Sequence, residues 1–569
     1  MQRVRGMSLI DVVVGTALML IIFLGLTALL RTSLKVSAIA KARSIATTIG
    51  GSQMEMVRSI SYNSVGTIAG IPAGTIPQNT VYFQNGTSFL VRTYIQYYDD
   101  GADGFGALDS NGITTDYKII KITVTYTAGG SERSLDFHSK YAPPGLETTS
   151  GGGTLKFEIV NAAGLPVPGA SVRIVNASST PTIDVTTFSD ILGTVFLPGA
   201  ATSSEYQAFI SKGGYSSAQT YKRDIVNQNP TPGYFTVAQD VTTSGTFSID
   251  VLARLLVNTF LPIATSTWSD TFIDSTGVAS IVNAEVSLGS VVLAGGSGAY
   301  VPSGEVSGVT ITPNRLNSWV SASTTQIIPA NTTSVFRVLD GSGTPVPDAD
   351  LPGNSLGFTM PVDLQSLSTT TYPTLALKAN LTSGDVTATP ELTYWGISYR
   401  TGPTPLPNVD FSLLGAKTIG TTGSGSLLYK TSIGTTTDSG GVRDITLEWD
   451  LYQLEVPGYD VIEICNAPPY QMDPGITTSS NLMIASSTPN AVLVSVRDIT
   501  GALGNATVTL TRAGFNQTVA TTLCGSAYFG SVPSASDYTI TISKAGYTSA
   551  VVTGVSISGH VFFPSTLEI

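Results

Sequence analysis

Residues 1–31 read MQRVRGMSLIDVVVGTALMLIIFLGLTALLR. Between Met7 and Leu30 there are 24 residues, and Asp11 alone is charged. A helix needs about 20 apolar residues to cross a bilayer core, so this segment is long enough. Arg3 and Arg5 precede it, which predicts a cytoplasmic N-terminus and export of the chain beyond the apolar run. A secretory signal would carry a shorter apolar run ending in a small-residue cleavage site. A plain membrane anchor accounts for the hydrophobicity equally well.

The string Gly6-Met7-Ser8-Leu9-Ile10-Asp11 separates these readings. It resembles the type IV prepilin motif, a short basic leader ending in Gly, followed by an apolar residue, a small one, two aliphatics and an acid. The resemblance implies a prepilin peptidase that cuts between Gly6 and Met7 and methylates Met7. It makes Asp11 the fifth mature residue, an assembly residue that meets the N-terminal amine of a neighbouring pilin. The family usually has Phe at the position of Met7 and Glu at that of Asp11. A carboxylate within an apolar helix is costly and is usually functional. Leu34, Ile39, Ile45, Ile49, Met56 and Val57, interspersed with Arg31, Lys35, Lys41, Arg43 and Arg58, extend the helix as an amphipathic stretch, with Gly50-Gly51 as a kink.

The remaining chain reads as β-structure. Of 569 residues, 58 are Gly and 30 Pro, and charged residues make up 12 %, a composition of short strands and tight turns. TSFLVRTYIQYY (87–98) and YKIIKITVTYT (117–127) alternate as strands of a small meander. Between them, Asp99, Asp100, Asp103, Asp109 and Asp116 stand around glycines. Two readings remain open here, a Ca2+ site and a solvated turn; the spacing is not that of an EF-hand.

A pattern then recurs. Its first copy has Gly164-Leu165-Pro166-Val167-Pro168-Gly169-Ala170, then Gly193-Thr194-Val195-Phe196, Tyr206 and Gly214-Tyr215. A looser middle copy has Pro405-Leu406-Pro407-Asn408-Val409, Gly440-Gly441-Val442 and Gly458-Tyr459. The last has Gly504-Asn505-Ala506, Gly525-Ser526-Ala527-Tyr528-Phe529 and Gly546-Tyr547. These copies resemble carboxypeptidase regulatory-like modules, which implies non-catalytic β-sandwiches used as spacers or binding units. The stretch from about 254 to 394, with Trp268 and Trp319, is too long for one such module and reads as a jelly roll or other larger sandwich. It is loosely similar to lectin-like sandwiches, which sets a glycan ligand against the alternative that its aromatics are core.

The expected fold is therefore mainly β with a long N-terminal transmembrane α-helix, a pilin-like head and a chain of β-sandwiches. The expected divisions are a leader at 1–6, the helix at 7–60, the head at 61–147, and regulatory-like sandwiches at 148–253, 395–487 and 488–569, with the larger sandwich at 254–394. Cys465 and Cys524 are the two cysteines, and in an exported chain they either pair across adjacent modules or remain buried thiols.

The net charge of -11 argues against nucleic-acid binding. His138 and His560 are the two histidines, neither in a catalytic or metal motif, so no enzyme is expected. Apart from the Ca2+ reading, no cofactor is expected. The resulting expectation is a minor type IV pilin-like surface protein, held by its helix in the cytoplasmic membrane, with its C-terminal part exported to a pilus or the cell surface. Its partners would be other pilins, the prepilin peptidase, the membrane, and a surface glycan or protein. The alternatives are a pseudopilin of a secretion or DNA-uptake machine, and an anchored adhesin that does not assemble.

Overall fold

The computed structural model describes residues 9–102, 104, 115–144, 152–296 and 299–569. A single helix, α1 (Leu9–Arg58), opens it. At 1.5 Å per residue α1 is about 75 Å long, more than twice a bilayer core. It runs through Gly50-Gly51 as one helix, with no break at the pair where a kink was expected. Packing accounts for the first of the two glycines: a Cβ on Gly50 would run into the ring of Phe137, whereas one on Gly51 would meet nothing within 4 Å. Gly50 continues the Ala42 and Ala46 line of small residues along the face of α1 that lies on a sheet.

That sheet is an antiparallel meander, β1 (Asn79–Gln84), β2 (Thr87–Tyr98), β3 (Tyr117–Ala128) and β4 (Ser131–Tyr141), in sequential order. Its two-residue hairpin loops are Asn85-Gly86 and Gly129-Gly130, all four at positive φ, the turn geometry that matches strand twist. Period-two alternation places Phe89, Val91, Ile95, Ile120, Ile122 and Val124 against Ala42, Ala46, Met54 and Val57 of α1. The other face of the sheet, with Arg92, Tyr94 and Lys121, turns away from the helix.

Three sandwiches share one plan. In the first, Gly153–Val160 pairs in parallel with Thr242–Ser248 and antiparallel with Thr194–Ala200. In the last, Ala491–Asp498 pairs in parallel with His560–Thr566 and antiparallel with Ser526–Gly530. Between them, Ala253–Leu261 pairs in parallel with Thr477–Ser486 and antiparallel with Val442–Leu447. Each of these sheets faces a second, antiparallel sheet across a continuous apolar core.

This pairing differs from the sequence division at 254. Ala253–Leu261 is the first strand of the middle sandwich, whose other strands begin only after residue 403. The larger sandwich is inserted where the first copy has its short Asn161–Ala170 turn. Its sheets place Leu316–Ile327 beside Glu391–Thr401, and Leu375–Ser383 beside Thr332–Asp340. Trp319 and Trp395 are fully buried between them, and Trp319 Nε1 donates to the Tyr372 carbonyl at 2.8 Å.

The insert carries a turn of its own, Thr344-Pro345-Val346-Pro347. Asp340 N donates to Thr344 O at 2.8 Å and Val346 N to Val338 O at 3.0 Å. In the first sandwich Asn161 N to Leu165 O and Val167 N to Ile159 O repeat the arrangement, at 2.8 and 2.9 Å. Gly343 and Gly164 sit at φ +84° and +77°, left-handed positions that favour glycine.

Candidate functional site

The first half of α1 carries the strongest functional signal. Leu18, Ile21, Phe23, Leu29, Leu30, Leu34 and Val36 are all exposed, although each is large and apolar. Isolated exposed leucines are ordinary; a continuous apolar cylinder marks a membrane or partner surface. The helix is long and apolar enough to cross a membrane. Asp11 lies in the first turns of this helix. Gly6 and Met7 lie outside the described residues.

Burial begins one turn further on and fastens the helix to the head. Gln53 Nε2 donates to Thr93 Oγ1 at 3.2 Å, Arg58 Nη2 to Ser139 Oγ at 3.1 Å, and Tyr141 OH to the Ile60 carbonyl at 2.8 Å. Beneath the end of α1 lies Lys118, only 1 % exposed. Its Nζ donates to the carbonyls of Tyr62 and Val65 at 2.6 and 2.7 Å and faces the rings of Tyr62 and Tyr97 at 4.6 and 5.2 Å. Burial nevertheless dominates and pushes this ammonium down to about 8.

Of the five aspartates considered for Ca2+, Asp103 and Asp109 lie outside the described residues. Asp99 and Asp116 are buried at the paired ends of β2 and β3, and the backbone N–H of Asp100 donates to the Asp116 carboxylate. Among the described residues, one group of three acidic, Cys or His side chains is close enough to share an ion: Glu463, Cys465 and Cys524. Its two sulfurs are joined to each other as a disulfide, with Cα atoms 4.8 Å apart.

That disulfide lies at the junction of the middle and last sandwiches. Beside it, Ser526 Oγ accepts from Ile464 N at 3.1 Å. The carboxylate of Asp460, on the middle sandwich, accepts from Thr488 N at 3.0 Å, from Thr488 Oγ1 at 2.8 Å and from Tyr528 OH. His560 Nε2 stands 2.9 Å from its other oxygen. Leu493, Tyr528 and Phe562 of the last sandwich pack into the core of the middle one. Sequence reading missed Asp460 because its partners lie 28 to 100 residues further along the chain, with no motif linking them.

The head and the first sandwich also meet through specific bonds. Gln78 Nε2 donates to the Asp184 carbonyl at 2.7 Å, and Asp184 N to the Ala69 carbonyl at 2.7 Å. The Arg92 guanidinium donates to the Thr186 carbonyl and lies 4.9 Å over the Phe188 ring.

No protein-family model matches the chain, and no curated protein matches it. Among solved structures it is similar to the Bacillus anthracis TIE protein at 12 % identity and a TM-score of 0.16, over 79 % of this chain and 59 % of that one. It is similar to BcpA, the major pilin subunit of Bacillus cereus, at 9 % identity and a TM-score of 0.14, over 73 % of this chain and 99 % of that one. A third similarity is to the shaft pilin SpaA from Lactobacillus rhamnosus GG, at 10 % identity and a TM-score of 0.12, over 30 % of this chain and 88 % of that one. The chain thus spans 59 % of the length of the TIE protein. Superpositions this loose carry no argument, so the functional reading rests on the chain's own geometry.

Proposed function

We propose that this chain is a minor type IV pilin-like surface protein, anchored by α1 and displaying a β-sandwich head that binds or spaces. The observation supporting the reading is one continuous helix whose first half is an exposed apolar cylinder and whose second half is bolted to a four-stranded sheet. A membrane accounts for the first half, and so does a bundle of neighbouring pilin helices. In this reading the leader is removed after Gly6, Met7 becomes the methylated N-terminus, and Asp11 neutralises the amine of a neighbouring subunit. The bulk of the sandwiches suits a low-copy or tip position, because a dense filament leaves little room for them along its shaft.

N-terminal sequencing of the protein isolated from its native membrane tests this directly. The expected result is a chain beginning at N-methylated Met7, with the protein recovered in sheared filaments. An intact leader together with absence from the filaments overturns assembly and leaves an anchored surface protein.

A further inference from the structure

The outward face of the head sheet meets the first sandwich through the bonds of Gln78, Arg92 and Asp184, and Ile71, Tyr94 and Tyr97 of the head pack against the sandwich core. The gap between them is a cleft of about 890 Å³, lined from both sides by Tyr94, Tyr98 and Lys121 of the head and by Lys156, Phe188 and Phe196 of the sandwich. Its size and its place between two folded units are those of a ligand site.

The lining has a definite chemistry. Flat aromatic surface is supplied by Tyr98, which stacks on Tyr117 at 5.1 Å, and by Phe196. Hydroxyls and an amide come from Thr194, Thr242, Ser244 and Gln96. The accessible cations are Lys121 and Lys156, with the His138 imidazole beside them, in a chain of net charge -11. Of the two acids in the lining, Asp99 is 2 % exposed, and Asp190 Oδ1 already accepts from the backbone of Leu192 and Thr194 at 2.9 and 2.8 Å. Lys121 and Lys156 pair with half-exposed carboxylates, Asp136 at 3.0 Å and Glu158 at 2.9 Å, the kind of surface pair a ligand carboxylate displaces cheaply.

Aromatic faces suit the apolar C–H faces of sugar rings, the ring of hydroxyls suits their oxygens, and the cations suit an acid. We infer that this cleft binds a short carboxylated oligosaccharide, with its carboxylates toward Lys121, Lys156 and His138 and its sugar faces on Tyr98 and Phe196. In the larger sandwich, where the sequence set a glycan against core aromatics, Trp319 is fully buried and Trp268 is half-buried against the same core. Binding in the cleft is independent of leader processing and of filament assembly.

The test is calorimetric titration of the full chain, in detergent, with trigalacturonate, the uncharged galactose trisaccharide and hexaglutamate. Trigalacturonate is expected to bind one per chain. The Lys121→Gln/Lys156→Gln double variant should weaken it by roughly ten-fold or more, as should Phe196→Ser. Both lysines are half-buried surface groups, so an unchanged melting temperature verifies that the double variant is folded. No trigalacturonate binding, or binding that the double variant leaves intact, overturns the site. Equal affinity for the uncharged trisaccharide overturns the requirement for acid, and equal affinity for hexaglutamate overturns the sugar.

Discussion

The ammonium of Lys118 lies 2.7 Å from the carbonyl oxygen of Val65, enclosed beneath the end of α1. With burial holding this group near 8 against its usual 10.5, proton linkage fixes how stability changes with pH. Below about 8 both folded and unfolded chains are protonated, and the fold bears the cost of a buried cation. Between about 8 and 10.5 the unfolded chain holds a proton that the folded one has released, so stability rises with pH. Tyr94 and Tyr206, pushed up to about 12 by burial, act in the opposite sense only above their usual 10. Thermal melts between pH 7 and 10 should therefore show a rising melting temperature, and Lys118→Met should remove most of the rise, the remainder belonging to Lys417, whose ammonium burial also lowers. An unchanged slope in the variant would assign the effect elsewhere.

The bond between Cys465 and Cys524 closes a loop with a sequence separation of 59. Cross-linking a loop of that length stabilises by about 4 kcal/mol in the chain-entropy account. Cys524→Ser, or reduction of the wild-type chain, is expected to lower the melting temperature of the last two sandwiches and leave that of the head unchanged. Differential scanning calorimetry with and without dithiothreitol reads both transitions.

Gly50 and Gly51 are neighbours with opposite roles. Gly50→Ala forces a methyl into Phe137 and is expected to destabilise the head by about 1–3 kcal/mol. Gly51→Ala meets open space in a helix interior and is expected to stabilise it by roughly 0.5–1 kcal/mol. Chemical denaturation of the two variants checks this pair of signs; two losses would revive a kink.

Removing the Asp460 carboxylate leaves three donors facing a buried gap, two on Thr488 and one on Tyr528. Asp460→Ala is expected to cost about 2–3 kcal/mol and to expose the junction of the last two sandwiches. Limited proteolysis near Thr488 reports the exposure, and Asp460→Asn, which keeps an acceptor, should restore part of the protection.

Local patterns were the legible part of the sequence. The alternation in residues 87–98 and 117–127 corresponds to β2 and β3, because one face of a sheet on a helix must be apolar. Pro166-Val167-Pro168 marked a turn because its prolines fix φ and the following Gly169 admits the positive φ the turn needs, both by themselves. The middle sandwich was harder to read, since Ala253–Leu261 pairs with Thr477–Ser486 across more than two hundred residues, and no local signal carries a parallel pairing. The insert hid the relationship further. Its Thr344-Pro345-Val346-Pro347 repeats the marker found elsewhere and was the available clue. Gly50-Gly51 misled because the ring that requires Gly50 is on β4, far along the chain. The cleft between head and sandwich could not be read at all, because its two walls come from separate units.

In each of the three related sandwiches the first and last strands are parallel neighbours. Tension applied through the chain ends therefore pulls such a pair in opposite directions along their length, loading the hydrogen bonds between them in shear, all together rather than one after another. The inserted sandwich leaves and rejoins the middle one through adjacent strands, where Leu261 pairs with Thr404, so it hangs beside the load path and is shielded from the pull. A protein tethered at a membrane and held at its far end would transmit force through its three smaller units while its largest stays slack.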